Sequence, residues 1–376
     1  MNIHLHFDDA DWERIERDYT AWWAHELPRP LVYLTGKEYD PRITYPQVHD
    51  FISNYPFSMP AEEVIALFTP HLEATRYYGD AYPRWWVNFG PGIVAGFLGA
   101  KVHSVPETVW FEPAELRAAK DLHLTYQADN PWWLRVQDLT RAALDAWEGQ
   151  VQVSHTDLGG NLDILASLRT TEGLLYDLYD APEEIDRLVR ELTQLWLRYY
   201  DELDAMIYPR CRGRSPWAPI WSKETTYMLQ CDFSYMISPQ MFERFVVPDL
   251  VACCEHLEHG FYHWDGPGQI PHLDLLLSIP RLRGIQWIPG EGNPPADQWP
   301  HLLKRIIEAG KLCQVYVSAE GALNIVRTIG GKGFLLAIQD EMSAEEATAF
   351  LKRLASEDKT KWPAIGNQPE NRWLNR

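Results

Sequence analysis

A histidine and an aspartate separated by one residue, His263 and Asp265, are the most informative chemical feature of the sequence. In a strand, residues i and i+2 point to the same side, so these two side chains would share a face. Imidazole nitrogen and carboxylate oxygen both bind divalent metal ions. A third ligand would have to come from another strand, and Asp340 or Glu291 could supply it. The alternative is a hydrogen bond between His263 and Asp265 that stabilises a loop.

Two further acidic residues follow apolar runs that we expect to be strands. Asp157 follows the run at residues 151–153, and Asp232 comes at a polar break after the stretch 217–221. Carboxylates at a buried site need either a cation or a raised pKa. Asp232, His263 and Asp157 are therefore candidate catalytic residues. Asp157 also precedes a Gly-Gly pair, so a role in a turn is the competing interpretation.

The remaining polar and aromatic residues near these runs are candidates for contact with a substrate. Some of them, such as Glu224 and Tyr227, could instead only line a loop. The candidate substrate-binding set is His155, Trp221, Glu224, Tyr227, Trp287, Glu291 and Gln339. The candidate metal ligands are His263, Asp265 and Asp340.

The elements that would position these residues are clearest in the C-terminal third. Short apolar runs begin at residues 260, 284, 312 and 333, which are 24, 28 and 21 residues apart. Helical patterns fill the gaps, and Ser343 with Glu346 forms a capping box ahead of the last of them. Strands that alternate with helices at this spacing predict βα units and a parallel sheet.

A closed (β/α)8 TIM barrel with a helical N-terminal extension is the predicted fold. An open doubly wound sheet is the alternative, but no GxGxxG motif follows a strand. We predict an extension over residues 1–79, a barrel over 80–356 and a C-terminal tail over 357–376. In such barrels function resides at the carboxyl ends of the strands, where the residues above are expected.

Composition excludes several classes of partner. Lys and Arg number 34 against 53 Asp and Glu, a net charge of −19, which argues against nucleic acid and anionic membranes. The five cysteines form no CxxC pair, and no apolar run is long enough to span a bilayer. We therefore expect a cytoplasmic protein with a small-molecule substrate. The 17 tryptophans are explained by packing or by an aromatic pocket.

Three segments together resemble the uroporphyrinogen decarboxylase superfamily. They are Leu-Leu-Tyr-Asp-Leu-Tyr-Asp-Ala-Pro-Glu-Glu at 174–184, Cys-Asp-Phe-Ser-Tyr-Met-Ile-Ser-Pro-Gln-Met-Phe-Glu-Arg-Phe-Val-Val-Pro at 231–248, and Phe-Tyr-His-Trp-Asp-Gly at 261–266. The resemblance covers residues 145–355 and implies a (β/α)8 barrel with a helical N-terminal extension. The superfamily includes enzymes of two chemistries. The decarboxylases carry an arginine-rich N-terminal segment, which this chain lacks around Arg29, and its acidity does not suit a polyanionic substrate.

The other branch of the superfamily transfers methyl groups between a corrinoid protein and a thiol. Its members bind zinc through a His-x-Cys pair and a later cysteine, and zinc converts the bound thiol to a thiolate. Here His263 matches the histidine, Asp265 stands in place of the first cysteine, and Gln339-Asp340 in place of the second. Oxygen ligands thus replace two soft sulfur ligands.

The sequence and the resemblance together predict a metal-assisted methyltransferase or demethylase that acts with a corrinoid or thiol partner. The cofactors would be a divalent metal, with zinc as one choice, and a corrinoid supplied by a partner protein. Asp232 would orient the substrate or act as a base. One alternative is a cofactor-independent decarboxylase or lyase for a small acid, with Asp232 and His263 as its acid–base pair. The other is a non-catalytic barrel that binds a small molecule.

Overall fold

The computed structural model describes residues 3–359, which form a mixed α/β protein. The strands in this range are β1 Leu31–Lys37, β2 Thr75–Gly79, β3 Arg84–Trp86, β4 Lys101–Val105, β5 Thr108–Glu112, β6 Gln152–Ser154, β7 Thr226–Gln230, β8 His259–Asp265, β9 Leu282–Ile288, β10 Leu312–Val317 and β11 Phe334–Ile338. The α-helices are α1 Asp9–Trp23, α2 Ala61–Glu73, α3 Val94–Phe97, α4 Pro131–Trp147, α5 Asn161–Arg169, α6 Thr171–Asp180, α7 Pro182–Ile207, α8 Pro239–Phe245, α9 Val247–His256, α10 Leu273–Ser278, α11 Pro300–Glu308, α12 Ala319–Thr328 and α13 Ala344–Glu357.

The main sheet has seven strands in the order β2-β1-β11-β10-β9-β8-β7. Every neighbouring pair in it is parallel except β1 with β2. The last strand, β11, lies between β1 and β10 and is not an edge, as the barrel interpretation required. Within residues 3–359, however, β3 and β6 pair only with each other, so strand pairing alone does not close an eight-stranded barrel.

The predicted N-terminal extension contributes strands as well as helices. Residues 1–79 supply β1 and β2, and Leu31 of β1 is in register with Leu335 of β11. A buried ion-pair network helps to hold this part of the chain in place, since Arg29 donates to both Asp80 and Asp18 at 2.7–2.8 Å. Of the predicted tail, 357–376, nearly all lies outside the described residues.

The strands of the C-terminal third and the start of the last helix were predicted correctly. The Ser343–Glu346 capping box is present at the start of α13. The strand expected near residues 217–221 is wrong: that stretch is a loop, and β7 begins only at Thr226. Pro216 and Pro219 lack the N–H groups that a central strand must donate.

The register of the main sheet places four polar residues in one row. Gln230 is paired with His263, His263 with Gln286, and Gln286 with Gln314, across β7, β8, β9 and β10. Partners in register on neighbouring parallel strands point to the same side of a sheet. The row therefore lies on one face, and His263 is in its middle.

The tryptophans mainly serve packing. Trp264 and Trp287, which alternate with members of the polar row, lie on the opposite face with ring centroids 4.5 Å apart. Trp85 packs against Trp147 of α4 at 5.4 Å in the same way. In the described part of the chain six tryptophan side chains are fully buried: Trp22, Trp133, Trp147, Trp221, Trp264 and Trp287.

Candidate functional site

Asp232, His263 and Asp265 meet at the carboxyl ends of β7 and β8. One ligand atom from each lies within 4.8 Å of the others. His263 Nε2 is 3.8 Å from Asp232 Oδ1 and 3.9 Å from Asp265 Oδ2. The His263 side chain is 13% exposed, whereas Asp232 and Asp265 are 49% and 37% exposed. The group is therefore open on the side of the two carboxylates.

The orientation of His263 is fixed from behind by the polar row. Its Nδ1 is hydrogen-bonded to Gln286 Oε1, and Gln286 Nε2 in turn donates to Gln314 Oε1. Since a carbonyl oxygen can only accept, Nδ1 carries the proton in this arrangement. In a neutral imidazole Nε2 then has the lone pair, which faces the carboxylates of Asp232 and Asp265; a protonated Nε2 would instead form an ion pair with them.

A partly buried aspartate that the sequence analysis missed, Asp163, holds Asp232 in place. Its carboxylate accepts from the backbone N–H groups of Asp232 and Phe233 at 3.0 and 2.7 Å. Burial, and then the charge of Asp232, raise the pKa of Asp163 to about 7. Its only sequence signal is an acidic residue in the first turn of α5, which is common at helix starts.

Asp157 lies buried beside this group. Its carboxylate accepts from the backbone N–H of Gly159 at 2.8 Å, which is the predicted turn contact. Gln230 Nε2 lies 3.5 Å from its other oxygen. Burial raises the pKa of Asp157 to about 7, and the charge of Asp232 adds to the shift. Asp157 is thus both a turn residue and a carboxyl group that changes charge near neutral pH.

The carboxyl group of Asp265 is affected in a similar way. Burial also raises the pKa of Asp265; the His263 imidazole opposes this shift, and the charge of Asp232 adds to it. A site that raises the pKa values of three carboxyl groups is one that a cation would stabilise.

Asp340 does not belong to the group of three, although we predicted it as the third ligand. Its Oδ2 accepts from the backbone N–H of Ala319 at 2.6 Å, at the start of α12. Among the described residues, Asp232 takes the place foreseen for Asp340. The residue after β11 is held here by the free N–H group at the start of α12, the helix that follows the neighbouring strand β10.

Two of the predicted substrate contacts are structural. His155 is completely buried, with its ring stacked on Tyr200 at 5.0 Å and Nε2 3.6 Å from Asp204. The Tyr227 hydroxyl donates to Thr156 O at 2.8 Å and accepts from Leu158 N at 2.7 Å. The hydroxyl of Tyr227 is thereby committed to the protein itself, whereas both ring nitrogens of His155 are buried without a hydrogen-bond partner among residues 3–359.

Three others lie away from the group. Trp287 lies on the opposite face of β9 from Gln286, because adjacent residues of a strand alternate. Trp221 and Glu224 precede β7 and so lie towards the amino ends of the strands; Trp221 O accepts from Trp23 Nε1 at 2.9 Å. Trp221 and Glu224 were expected near the site because a strand was wrongly predicted at 217–221.

Glu291 and Gln339 are exposed in the turns that follow β9 and β11. Their assignment to substrate stays a prediction. Trp217 was named only as the start of a run, yet its ring lies edge-on to His263 at 5.1 Å. Sequence pattern gives no signal for this contact, which depends on the loop before β7.

Comparison with known proteins identifies the fold. No protein-family model matches the chain, and no curated protein sequence matches it. A solved structure, a methyltransferase from Methanosarcina mazei, superimposes with a TM-score of 0.58 over 91% of this chain and 98% of that one. The two chains share a fold. Their sequences are 11% identical, so the likeness concerns the fold.

The helices can also be compared with those that span a membrane. Within residues 3–359, none of them combines the length and the apolar character needed to cross a bilayer.

Proposed function

We propose that this protein is a metal-assisted methyltransferase in which Asp232, His263 and Asp265 bind one divalent ion. The observation that carries the proposal is the orientation of His263, whose Nε2 lone pair faces two carboxylates. With neither a cation nor a proton on Nε2, the lone pair and two negative charges at these distances repel one another. With a cation, they form a set of three protein ligands, which is the usual number at catalytic metal sites that keep a position open for substrate.

The donor atoms restrict the metal. One imidazole nitrogen and two carboxylate oxygens suit zinc and the harder divalent ions such as manganese, and no thiolate is present to favour zinc strongly. When bound, the ion would supply Lewis acidity that converts a thiol to its thiolate. Gln286 orients the imidazole, Asp163 fixes the backbone of Asp232, and Asp157 can take up a proton near neutral pH.

The wider setting is proposed on the same basis. We place the chain with the uroporphyrinogen decarboxylase-like barrels, with a corrinoid protein as partner and the cytoplasm as location. Support for a closed barrel comes from the bonds that flank β6: His155 N donates to Ser215 O at 2.9 Å, and Arg84 donates to Trp217 O at 2.7 Å. These contacts tie the β3–β6 pair to the loop before β7.

A second candidate function is a metal-free lyase or decarboxylase. It is favoured by one observation, the carboxyl group of Asp157 with a pKa of about 7 beside the His263–Asp232 pair. Such a group could pass a proton to or from a substrate without an ion.

Metal titration separates the two candidates. Protein freed of metal by a chelator is titrated calorimetrically with Zn²⁺ and Mn²⁺, for the wild type and for Asp232→Asn and Asp340→Asn. We expect one ion per chain, bound at least about tenfold more weakly by D232N and unchanged in D340N. Transfer of the methyl group from methylcobalamin to 2-mercaptoethanol should require the ion and fail in D232N. If the wild type binds no ion, the metal-free lyase or decarboxylase remains as the candidate function.

A further inference from the structure

A strand next to the proposed metal site presents an arginine that has no acidic partner. On β3, Trp85 packs outward against Phe68 and Trp147 of the helix layer. Because side chains alternate along a strand, Arg84 and Trp86 face the opposite side. Tyr33 and Tyr82 lie on this side. Burial raises the pKa of both hydroxyl groups, and the charge of the Arg84 guanidinium opposes the rise.

The hydrogen bonds of Arg84 leave part of its guanidinium unused. Nε donates to Ser154 Oγ at 3.2 Å, and Nη2 donates to the carbonyl oxygens of Pro216 and Trp217 at 3.3 and 2.7 Å. Among residues 3–359, Nη1 of Arg84 has no acceptor, and no carboxylate lies within ion-pair distance. By contrast, the buried Arg29 is paired with Asp18 and Asp80. A partly buried guanidinium with neutral partners retains its full positive charge for a ligand.

A second donor on the same face is also unused. Trp86 Nε1 is buried and has no hydrogen-bond partner among residues 3–359. Buried polar atoms in native proteins are nearly always paired, so an unpaired N–H beside an unpaired guanidinium nitrogen indicates a missing acceptor. Tyr316, on β10, adds a hydroxyl: burial raises its pKa, and the Arg84 charge opposes that shift. Its phenol is therefore neutral and can donate.

These donors lie close to the metal site through two separate contacts. Trp217 links them on one side, since its carbonyl accepts from Arg84 while its ring lies against His263 at 5.1 Å. Gln286 links them on the other, since it is hydrogen-bonded to His263 and its side chain lies beside the Tyr316 hydroxyl, whose pKa it lowers. A small molecule could thus reach from Arg84 to the proposed ion.

We propose that Arg84, Trp86 and Tyr316 form a subsite for the carboxylate of a small substrate, whose other end reacts at Asp232, His263 and Asp265. The orientation of the substrate rests on the proposed function, but the carboxylate subsite does not. The subsite supplies a point of attachment that the acidic group of three cannot, because those carboxylates repel an anion. The substrate would then be a short monocarboxylic acid that carries a thiol or a methylated group.

The test uses butyrate as the probe and the tryptophan fluorescence of the whole protein as the signal, with chloride holding ionic strength constant. We expect saturable binding of butyrate and none of the neutral isostere butyramide. Arg84→Gln should weaken butyrate binding about tenfold to a hundredfold, and Trp86→Phe, which keeps a ring but loses the N–H, by less. Arg244→Gln is the matched control, because Arg244 forms a surface ion pair with Asp186. Butane-1-sulfonate distinguishes a carboxylate subsite from a general oxyanion subsite.

Two further measurements keep the proposal open to refutation. If Arg84→Gln does not fold, Arg84→Lys retains the charge, and protection of Arg84 from phenylglyoxal by butyrate is read by peptide mass mapping on the wild type. Butyrate that binds equally to wild type and R84Q, tighter binding of the sulfonate, or no binding of butyrate at all, would overturn the carboxylate assignment. All titrations are run on metal-free and on Zn²⁺-loaded protein. If the protein binds no metal but Arg84→Gln still weakens butyrate binding, only the proposed function is contradicted.

Discussion

His263 Nδ1 is hydrogen-bonded to Gln286 Oε1 on the neighbouring strand, and this bond determines which imidazole nitrogen faces the carboxylates. The two residues are direct partners in the β8–β9 register, so the contact is built into the sheet. Hydrogen bonds behind a metal-binding histidine fix its tautomer and its ring orientation. Gln286 is therefore as much a part of the proposed site as the residues at its surface.

Replacement of Gln286 by leucine should weaken metal binding. The substitution keeps the side-chain volume but removes the acceptor for Nδ1–H, so the ring is free to rotate and to change tautomer. We expect the affinity for Zn²⁺ to fall about tenfold to a hundredfold. Calorimetric titration of the metal-free protein measures this directly. Gln240→Leu, at an exposed position of α8, is the control and should bind like the wild type.

Asp265→Cys should change which metal is preferred. A thiolate in place of a carboxylate is a softer ligand, so the ratio of Zn²⁺ to Mn²⁺ affinity should rise. The same change at Asp340, which binds the backbone of Ala319 and not the group of three, should leave the ratio unaltered. Competition titrations with a zinc indicator give both numbers. An equal rise in both variants would restore Asp340 as a ligand, and no rise in either would argue for a site that holds no metal.

Tyr227→Phe should destabilise the protein without altering metal binding. The lost hydroxyl leaves Thr156 O and Leu158 N without their partner in a buried position, at a cost of about 1–3 kcal/mol. Chemical denaturation followed by circular dichroism measures the loss. Tyr179→Phe, at an exposed position on α6, should have no effect. Unchanged stability of the Tyr227 variant, together with altered substrate affinity, would return Tyr227 to the binding site that we first predicted.

Asp249→Asn should stabilise the protein at neutral pH. Burial raises the pKa of Asp249 from 3.8 to about 6, although its bond with Thr193 at 2.5 Å opposes the shift. The folded protein then holds this proton more tightly than the unfolded chain, so the free energy of unfolding falls as pH rises from about 4 to 6. Removing the charge should gain on the order of 1–3 kcal/mol at pH 7.5 and little at pH 4.

The measurement for this variant is the melting temperature at both pH values. Asp274→Asn serves as the control, because Asp274 is exposed and its ion pair with Arg305 is on the surface. A gain in stability for D249N that is the same at pH 4 and pH 7.5 would show that burial of the charge is not its cause.

Much of the fold could be predicted from local sequence. Apolar runs of four to six residues, each followed by a helical pattern, indicated β8 to β11 and the order of elements around them, and side-chain caps begin the last two helices, α12 and α13. These signals lie within a few residues of one another and need no knowledge of the rest of the chain. The same reasoning failed at residues 217–221, where apolar side chains suggested a strand and two prolines prevented one.

The chemistry could be predicted only in part, for a physical reason. His263 and Asp265 are two residues apart, so strand geometry alone puts them on one side. Asp232 joins them because β7 and β8 are parallel and in register, a non-local fact that the sequence does not state. For Asp340, the nearest free N–H groups at the start of α12 decided its position. The tautomer of His263 and the unpaired nitrogen of Arg84 depend on neighbours from distant strands. Residue type thus determined which chemistry is available, and tertiary packing decided which residues share it.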